Sequence, residues 1–108
     1  MFPLCTCEQP PFHYLNFARE EIGEDHYGAE VAIETCRECN RMWLVYLIEE
    51  PHYTKSGRWW RVPITPLERI NFQPQAARQF IESKDWCYIG GSFYGSPGQK
   101  KTGRIVVC

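Results

Sequence analysis

The chain contains six cysteines, and four of them form two close pairs. One residue separates Cys5 from Cys7, and two residues separate Cys36 from Cys39. Each pair can place two sulfur atoms on one side of a tight turn, and two such turns supply the four ligands of a tetrahedral Zn²⁺. The spacing therefore predicts one structural Zn²⁺ per chain, with four sulfur ligands: Cys5, Cys7, Cys36 and Cys39.

The start of the chain favours metal binding over disulfide bonds. Residues 1–5 lack the basic start and the long apolar middle of a secretory signal, so we expect a cytoplasmic protein. A reducing compartment disfavours disulfides and keeps thiols available for a metal. Cys87 and Cys108 have no close cysteine neighbour in the sequence. We expect Cys87, within an apolar stretch, to be a buried small hydrophobic residue.

The second pair resembles the zinc knuckle of zinc-ribbon proteins, in which Cys-x-x-Cys lies at the tip of a β-hairpin and an aromatic residue often follows. Here the pair is followed by Asn40, at a position where glycine is usual, and then by Trp43. Asparagine is the next most tolerant residue for the left-handed conformation expected there. The resemblance covers residues 5–7 and 36–43 only and indicates no specific family. It implies a four-cysteine zinc site on a hairpin tip.

The first pair departs from this pattern, because it is Cys-x-Cys instead of Cys-x-x-Cys. Two histidines lie between the cysteine pairs, His13 and His26. Histidine nitrogen is a common zinc ligand. The sequence therefore leaves open an alternative in which one of these histidines replaces Cys5 or Cys7.

The segments on each side of the second pair are predicted to be strands, so that the pair caps a hairpin. Residues 29–35 alternate between polar and apolar side chains, with Glu30 and Glu34 on one face, as in a half-buried strand. Residues 42–48 are apolar on both faces, as in a central strand. Further strands are predicted over residues 12–17, 58–62, 86–89 and 104–107, and Pro63 is predicted to end the strand over residues 58–62. Residues 19–27 and the Gly/Ser/Lys-rich stretch before residue 104 are predicted as loops.

One helix is predicted, from Pro74 to about Lys84, with Ala77, Phe80 and Ile81 on the face that covers the sheet. A length of 108 residues with 44% hydrophobic residues suits a single domain over residues 1–108. No uncharged apolar run approaches 18 residues, so no membrane span is expected. The predicted fold is α+β: a small antiparallel sheet of five or six strands with a zinc knuckle on a hairpin tip and one helix.

The charges are segregated along the chain. Residues 1–50 carry ten acidic residues against three arginines, and residues 51–108 carry nine basic residues against three acidic ones. The halves can form two faces that meet different partners, or they can pair with each other across the sheet. We favour internal pairing, because cross-strand pairs of opposite charge are common in small β domains.

Catalysis is not expected. Four sulfurs close the coordination shell, whereas a catalytic zinc keeps one position open for water. No histidine is followed two residues later by glutamate, so the deaminase signature fails. Residues 95–102 lack the lysine position and the following helix of a phosphate-binding loop.

Two classes of binding function remain. The first is a protein-interaction module of an accessory or immunity-like kind, with a binding surface predicted from five residues: Tyr53, Lys55, Arg58, Trp59 and Trp60. Adjacent residues on a strand point to opposite faces, so Trp59 and Trp60 cannot both enter the same core. One of the two side chains must therefore be covered by a helix, a loop or a partner.

The alternative is a zinc-ribbon protein that binds nucleic acid through the basic and aromatic residues of the second half: Tyr53, Lys55, Arg58, Trp59, Arg61, Tyr94, Lys100, Lys101 and Arg104. The acidic first half and the isoelectric point near 6.3 disfavour this alternative. The sequence does not determine the oligomeric state.

Overall fold

The residues described by the computed structural model, 5–50 and 52–107, contain one six-stranded antiparallel sheet. The strands follow one another across the sheet in sequence order: β1 (Phe17–Glu24), β2 (Glu30–Cys36), β3 (Met42–Ile48), β4 (Arg58–Ile64), β5 (Trp86–Gly91) and β6 (Ser96–Thr102). The prediction of an antiparallel α+β fold is confirmed. The predictions that concern residues 1–4 and Cys108 lie outside the described residues.

Two short helices accompany the sheet. Helix α1 (Pro66–Arg69) begins with a capping box, in which Thr65 and Glu68 cap each other's backbone amides. Helix α2 (Ala77–Glu82) follows a 3-10 turn at Pro74–Ala76, so the predicted helix is in place but its first turn is wound more tightly. In the described part of the chain, no helix has the length and apolar character needed to cross a membrane.

Strand β1 corrects the prediction of a loop over residues 19–27. This strand is at the edge of the sheet and pairs with β2 alone, so most of its side chains face solvent and the apolar alternation that marks a strand is missing. Residues 12–17 were predicted as a strand, but they contain a 3-10 turn at Tyr14–Asn16, and β1 starts only at Phe17.

The last strand is also displaced from its predicted position. Strand β6 occupies Ser96–Thr102, within the predicted loop, and pairs with β5 through a tight turn. Residues 104–107 form no strand, yet Ile105 and Val107 are buried in the core. Their alternating burial resembles that of a strand, which is why the pattern misled the sequence-based prediction.

The two faces of the sheet carry two separate clusters of buried side chains. On the first face, Leu44, Trp60 and Val62 pack with α2 and with residues 105–107. On the second face, Trp43 and Tyr88 are covered by residues 5–16, here called the covering segment. Trp59 and Trp60 lie on opposite faces, as predicted, and Phe12 of the covering segment packs against Trp59 with a ring-centroid distance of 5.8 Å.

The glycines of β5 permit two close approaches. A Cβ on Gly90 would lie 2.4 Å from the Trp59 ring, and a Cβ on Gly91 would lie 2.4 Å from the Gly57 carbonyl oxygen. Gly91 also has a φ of 113°, which side-chain-bearing residues rarely adopt. These contacts explain the run of glycines that begins at residue 90.

Replacing Gly91 with alanine should therefore lower the free energy of unfolding by more than about 2 kcal/mol, because backbone atoms of residues 57 and 58 block the new methyl group. The matched control is Gly95→Ala, where φ is 59° and no atom lies within 4 Å of the added Cβ. That variant should lose only about 1–2 kcal/mol. Urea titrations that gave equal losses for both variants would contradict this account.

Candidate metal centre

The structure brings the two predicted cysteine pairs together. A 3-10 turn (Thr6–Glu8) contains Cys7, and Cys5 lies immediately before it. Cys36 is the last residue of β2, and Cys39 lies in the turn before β3. The four Sγ atoms all lie within 4.8 Å of one another. The Cys5–Cys36 and Cys7–Cys39 sulfur distances are 3.6 Å and 3.5 Å.

These distances suit a single metal ion. Four sulfurs placed about 2.3 Å from a tetrahedral centre are separated from one another by roughly 3.8 Å. The four cysteines are free thiols, without disulfide bonds. The hairpin tip and the covering segment thus form a cluster that could hold one metal ion, as the spacing predicted.

The hairpin turn has the knuckle geometry expected from the sequence. The amide of Asn40 donates to the Cys36 carbonyl oxygen at 2.9 Å, and Asn40 adopts the left-handed conformation with φ 64°. The amide of Glu38 donates to the Cys36 sulfur at 3.4 Å. Backbone donors directed at sulfur stabilise a thiolate, which is the form that binds metal.

The electrostatic environment differs among the four thiols. Burial raises the pKa of Cys36, but hydrogen bonds from the backbone amides of Cys39 and Glu38 and from the Cys5 and Cys39 thiols together leave its pKa lowered. Burial raises the pKa values of Cys7 and Cys39. A bound cation would favour the thiolate form at all these positions, so the metal and the thiolates stabilise each other.

Trp43 places a buried donor beside the cluster. Its indole Nε1 has no partner of ordinary hydrogen-bond geometry among the described residues. Burial raises the pKa of the Cys7 thiol, and the Trp43 indole N–H opposes this shift. A buried N–H that acts on a sulfur and lacks another acceptor is suited to support a metal-bound thiolate.

Replacing Trp43 with phenylalanine should lower the affinity for metal about 10- to 100-fold, because the donor that supports the Cys7 sulfur is lost. The control is Trp86→Phe, since Trp86 packs edge-to-face on Trp43 and also belongs to the aromatic cluster. Competition with a chromophoric chelator measures both affinities. Equal affinities for the two variants would show that the loss comes from packing alone.

Further contacts hold the covering segment against the hairpin. The hydroxyl of Tyr88 donates to the Glu8 carbonyl oxygen at 2.5 Å, and the Glu8 carboxylate pairs with Arg41. Thr6 donates to the Glu38 carboxylate at 3.2 Å. The sulfur positions are thus supported from both sides of the cluster.

The histidine alternative is not adopted. His13 is exposed, and its Nδ1 accepts a hydrogen bond from the Leu15 amide in the next turn. His26 is exposed in the turn between β1 and β2. The metal-binding group found among the described residues consists of the four cysteines alone.

A second buried polar group lies on the same face of the sheet. Glu34 is 7% exposed and accepts hydrogen bonds from Arg61 Nη1 at 2.5 Å and Arg19 Nη1 at 2.8 Å. The Arg61 guanidinium lies against the rings of Phe12 and Phe17, at 4.6 Å and 4.5 Å. The alternation of residues 29–35 placed Glu34 on a polar face, but the covering segment and Arg61 bury it.

Internal pairing of the two charged halves is limited. Of the seven ion pairs among the described residues, two join the halves, Arg61 with Glu34 and Arg69 with Glu20. Because the strands follow sequence order, the charge difference instead extends across the sheet. Edge strand β1 carries three glutamates, and edge strand β6 carries Lys100 and Lys101.

The predicted binding residues differ in their exposure to solvent. Tyr53 and Lys55 are exposed, and Arg58 and Trp59 are partly buried. Trp60 is 1% exposed and packs against Tyr46, so it belongs to the core and its assignment to a binding surface is wrong.

The sequence-based analysis missed a groove beside Trp59. Its volume is about 220 Å³, and its lining includes Tyr14, Val45, Leu47, Trp59 and Pro97 as well as the Arg19–Glu34–Arg61 group. The residues come from the covering segment and from β1 to β4 and β6. Because these residues come from six separate segments of the chain, no hydrophobic pattern within one segment could have predicted the groove.

The remaining described cysteine has no sign of activation. Cys87 is fully buried on β5, and burial raises its pKa to about 11. A thiol in this state is a poor nucleophile at neutral pH.

The chain matches no protein-family model, no curated protein and no solved structure.

Proposed function

We propose that the four cysteines bind one Zn²⁺ in a structural site, and that the domain so stabilised is a non-enzymatic protein-interaction module. The observation that carries the zinc proposal is the convergence of four free cysteine sulfurs within 4.8 Å. A four-sulfur tetrahedral set is typical of zinc and of iron–sulfur centres. Zinc suits a structural role because it has no redox chemistry.

The role assigned to Zn²⁺ follows from what the cysteines connect. Cys5 and Cys7 belong to the covering segment, and Cys36 and Cys39 belong to the β2–β3 hairpin, about 30 residues further along the chain. A bound ion would hold the covering segment over Trp43 and Tyr88. Four protein ligands leave no position for water, which supports a structural and not a catalytic site.

The interaction role is supported by exposed aromatic side chains. Tyr14 is 76% exposed and Tyr53 is 71% exposed, and Trp59 borders an open groove. Tyrosine and tryptophan are enriched among the residues that contribute most to protein interfaces. These exposed aromatic side chains support an accessory or immunity-like module that covers a partner protein with this surface.

Nucleic-acid binding is the second candidate, and the strand order is the observation that favours it. Lys100 and Lys101 lie on β6, at the opposite edge from the acidic β1, so a phosphate backbone could approach that edge without meeting the glutamates of β1. Gel shifts with single-stranded and duplex probes at increasing salt test this candidate. A shift that salt abolishes, and that Arg58→Ala plus Lys100→Ala removes, would favour it over protein interaction.

Metal analysis tests the zinc proposal. Protein expressed without chelators should contain one Zn²⁺ per chain and show no visible absorption. Stoichiometric iron with a coloured thiolate spectrum would keep the four-cysteine site but overturn the choice of zinc. Protein that folds fully with less than a tenth of an equivalent of any metal would overturn the proposal.

A further inference from the structure

One row of directly paired residues crosses the second face of the sheet and changes from acidic to aromatic. Glu24 on β1 pairs with Glu30 on β2, Glu30 pairs with Leu47 on β3, and Leu47 pairs with Trp59 on β4. Directly paired residues project from the same face. The row therefore places two carboxylates, an aliphatic side chain and an indole side by side.

The covering segment reaches this row only at its aromatic end, where Phe12 packs against Trp59. Glu24 and Glu30 are exposed, and Leu47 and Trp59 are partly exposed. Three hollows lie along the row. The first is the groove beside Trp59, and it shares Leu47 with a second hollow that is lined by Glu49. The second hollow shares Glu24 and Glu30 with a third, which is lined by Glu21. The exposed and partly exposed residues that line the first two hollows are here called the acidic–aromatic groove, which includes Tyr14, Glu24, Glu30, Leu47, Glu49 and Trp59.

The groove is acidic at one end and apolar at the other. The three hollows are lined by five glutamates and two arginines. Both arginines donate to the carboxylate of Glu34, at the base of the apolar end. Arg19 also pairs with Glu30 at 4.0 Å. Five carboxylates against two guanidinium groups still leave the rim formed by Glu24, Glu30 and Glu49 with a net negative charge, while Leu47, Trp59 and Tyr14 supply the apolar surface.

We propose that the acidic–aromatic groove docks a cationic polypeptide segment of a partner protein. One apolar or aromatic side chain of this segment lies against Tyr14 and Trp59, and its lysine or arginine side chains lie against Glu24, Glu30 and Glu49. The anchor supplies contact area, and the charges set orientation and exclude acidic partners. This inference rests on the proposed function as an interaction module and names its partner class.

The test uses a defined probe, a decapeptide with one central tryptophan flanked by lysines. It is titrated into zinc-loaded protein labelled for NMR. We expect the largest shifts at the methyl groups of Leu47 and Val45 and at the indole N–H of Trp59. Raising the salt concentration should weaken binding. Peptides in which glutamate replaces lysine, or serine replaces tryptophan, should bind at least tenfold more weakly.

Matched variants separate the groove from general electrostatic attraction. The double exchange Glu30→Gln plus Glu49→Gln removes two exposed rim charges and should weaken the lysine peptide about fivefold. Asp85→Asn removes an exposed charge outside the groove and should leave affinity within twofold. Equal affinity for both variants, or shifts confined to Lys100 and Lys101, would overturn the proposal.

Two further outcomes distinguish this inference from the proposed function. If the glutamate peptide binds at Tyr53 and Lys55, the groove assignment fails while the interaction function stands. If no peptide produces shifts and nucleic acid does, both the groove assignment and the proposed protein-interaction function fail. Groove signals that change on dilution of the protein alone would assign the surface to a second copy of this chain and overturn the choice of partner.

Discussion

Replacing Cys39 with serine should abolish stoichiometric Zn²⁺ binding and unfold at least the covering segment and the β2–β3 hairpin. Structural zinc contributes on the order of 10 kcal/mol of apparent folding free energy, which equals the whole stability of many small domains. Cys39 is exposed, so the exchange of sulfur for oxygen creates no cavity. Thermal melts with Zn²⁺ present should therefore show a large loss in Tm.

The matched control is Cys87→Ala. This change removes a fully buried thiol that lies outside the cluster, so it costs packing but should leave one Zn²⁺ per chain. Chelator should destabilise the native protein and the Cys87 variant strongly, and the Cys39 variant little. An unchanged Tm for Cys39→Ser, or the same sensitivity to chelator in all three proteins, would show that the zinc site does not stabilise the fold.

Replacing Glu34 with glutamine should cost about 3–5 kcal/mol of unfolding free energy, because it leaves the buried Arg61 guanidinium without its counter-ion. Arg61 is 4% exposed, and burial already lowers its pKa while Glu34 opposes this shift. Glutamine keeps the shape of the side chain, so the loss measures charge and not packing. Urea denaturation at neutral pH provides the measurement.

Two comparisons make this prediction specific. Glu30→Gln changes an exposed residue on the same strand and face and should alter stability by less than about 0.5 kcal/mol. The double change Glu34→Gln plus Arg61→Met removes both buried charges and should be more stable than Glu34→Gln alone. If the double variant is no more stable, the uncompensated charge is not the cause of the loss.

Local spacing was enough to predict the centre of the molecule. The Cys-x-x-Cys stretch, the alternation before it and the apolar run after it lie within 20 residues, and the hairpin that they form depends on contacts between near neighbours. Asn40 adopts the left-handed turn that its residue type indicated. Where residue type and near neighbours set the conformation, the sequence-based predictions were right.

The edge strands were predicted wrongly for a different reason. Strand β1 has few buried side chains, and β6 contains Pro97, Gly98 and two lysines, so neither shows the apolar alternation of a half-buried strand. Each is a strand because its inner neighbour offers backbone groups for pairing. The strand propensity of the residues within such a segment therefore says little about whether the segment pairs at the edge of a sheet.

The sequence by itself determined the two sulfur pairs, the hairpin that carries the second pair and the unequal charges of the two halves, because these depend on residue types and on short stretches of chain. Only the tertiary structure decided that Cys5 and Cys7 meet that hairpin, that Glu34 is buried with Arg61, and that Trp59 borders a groove while Trp60 is in the core. Those outcomes depend on strand register and on the path of residues 5–16 across the sheet. Both follow from contacts between distant segments, which no single stretch of sequence encodes.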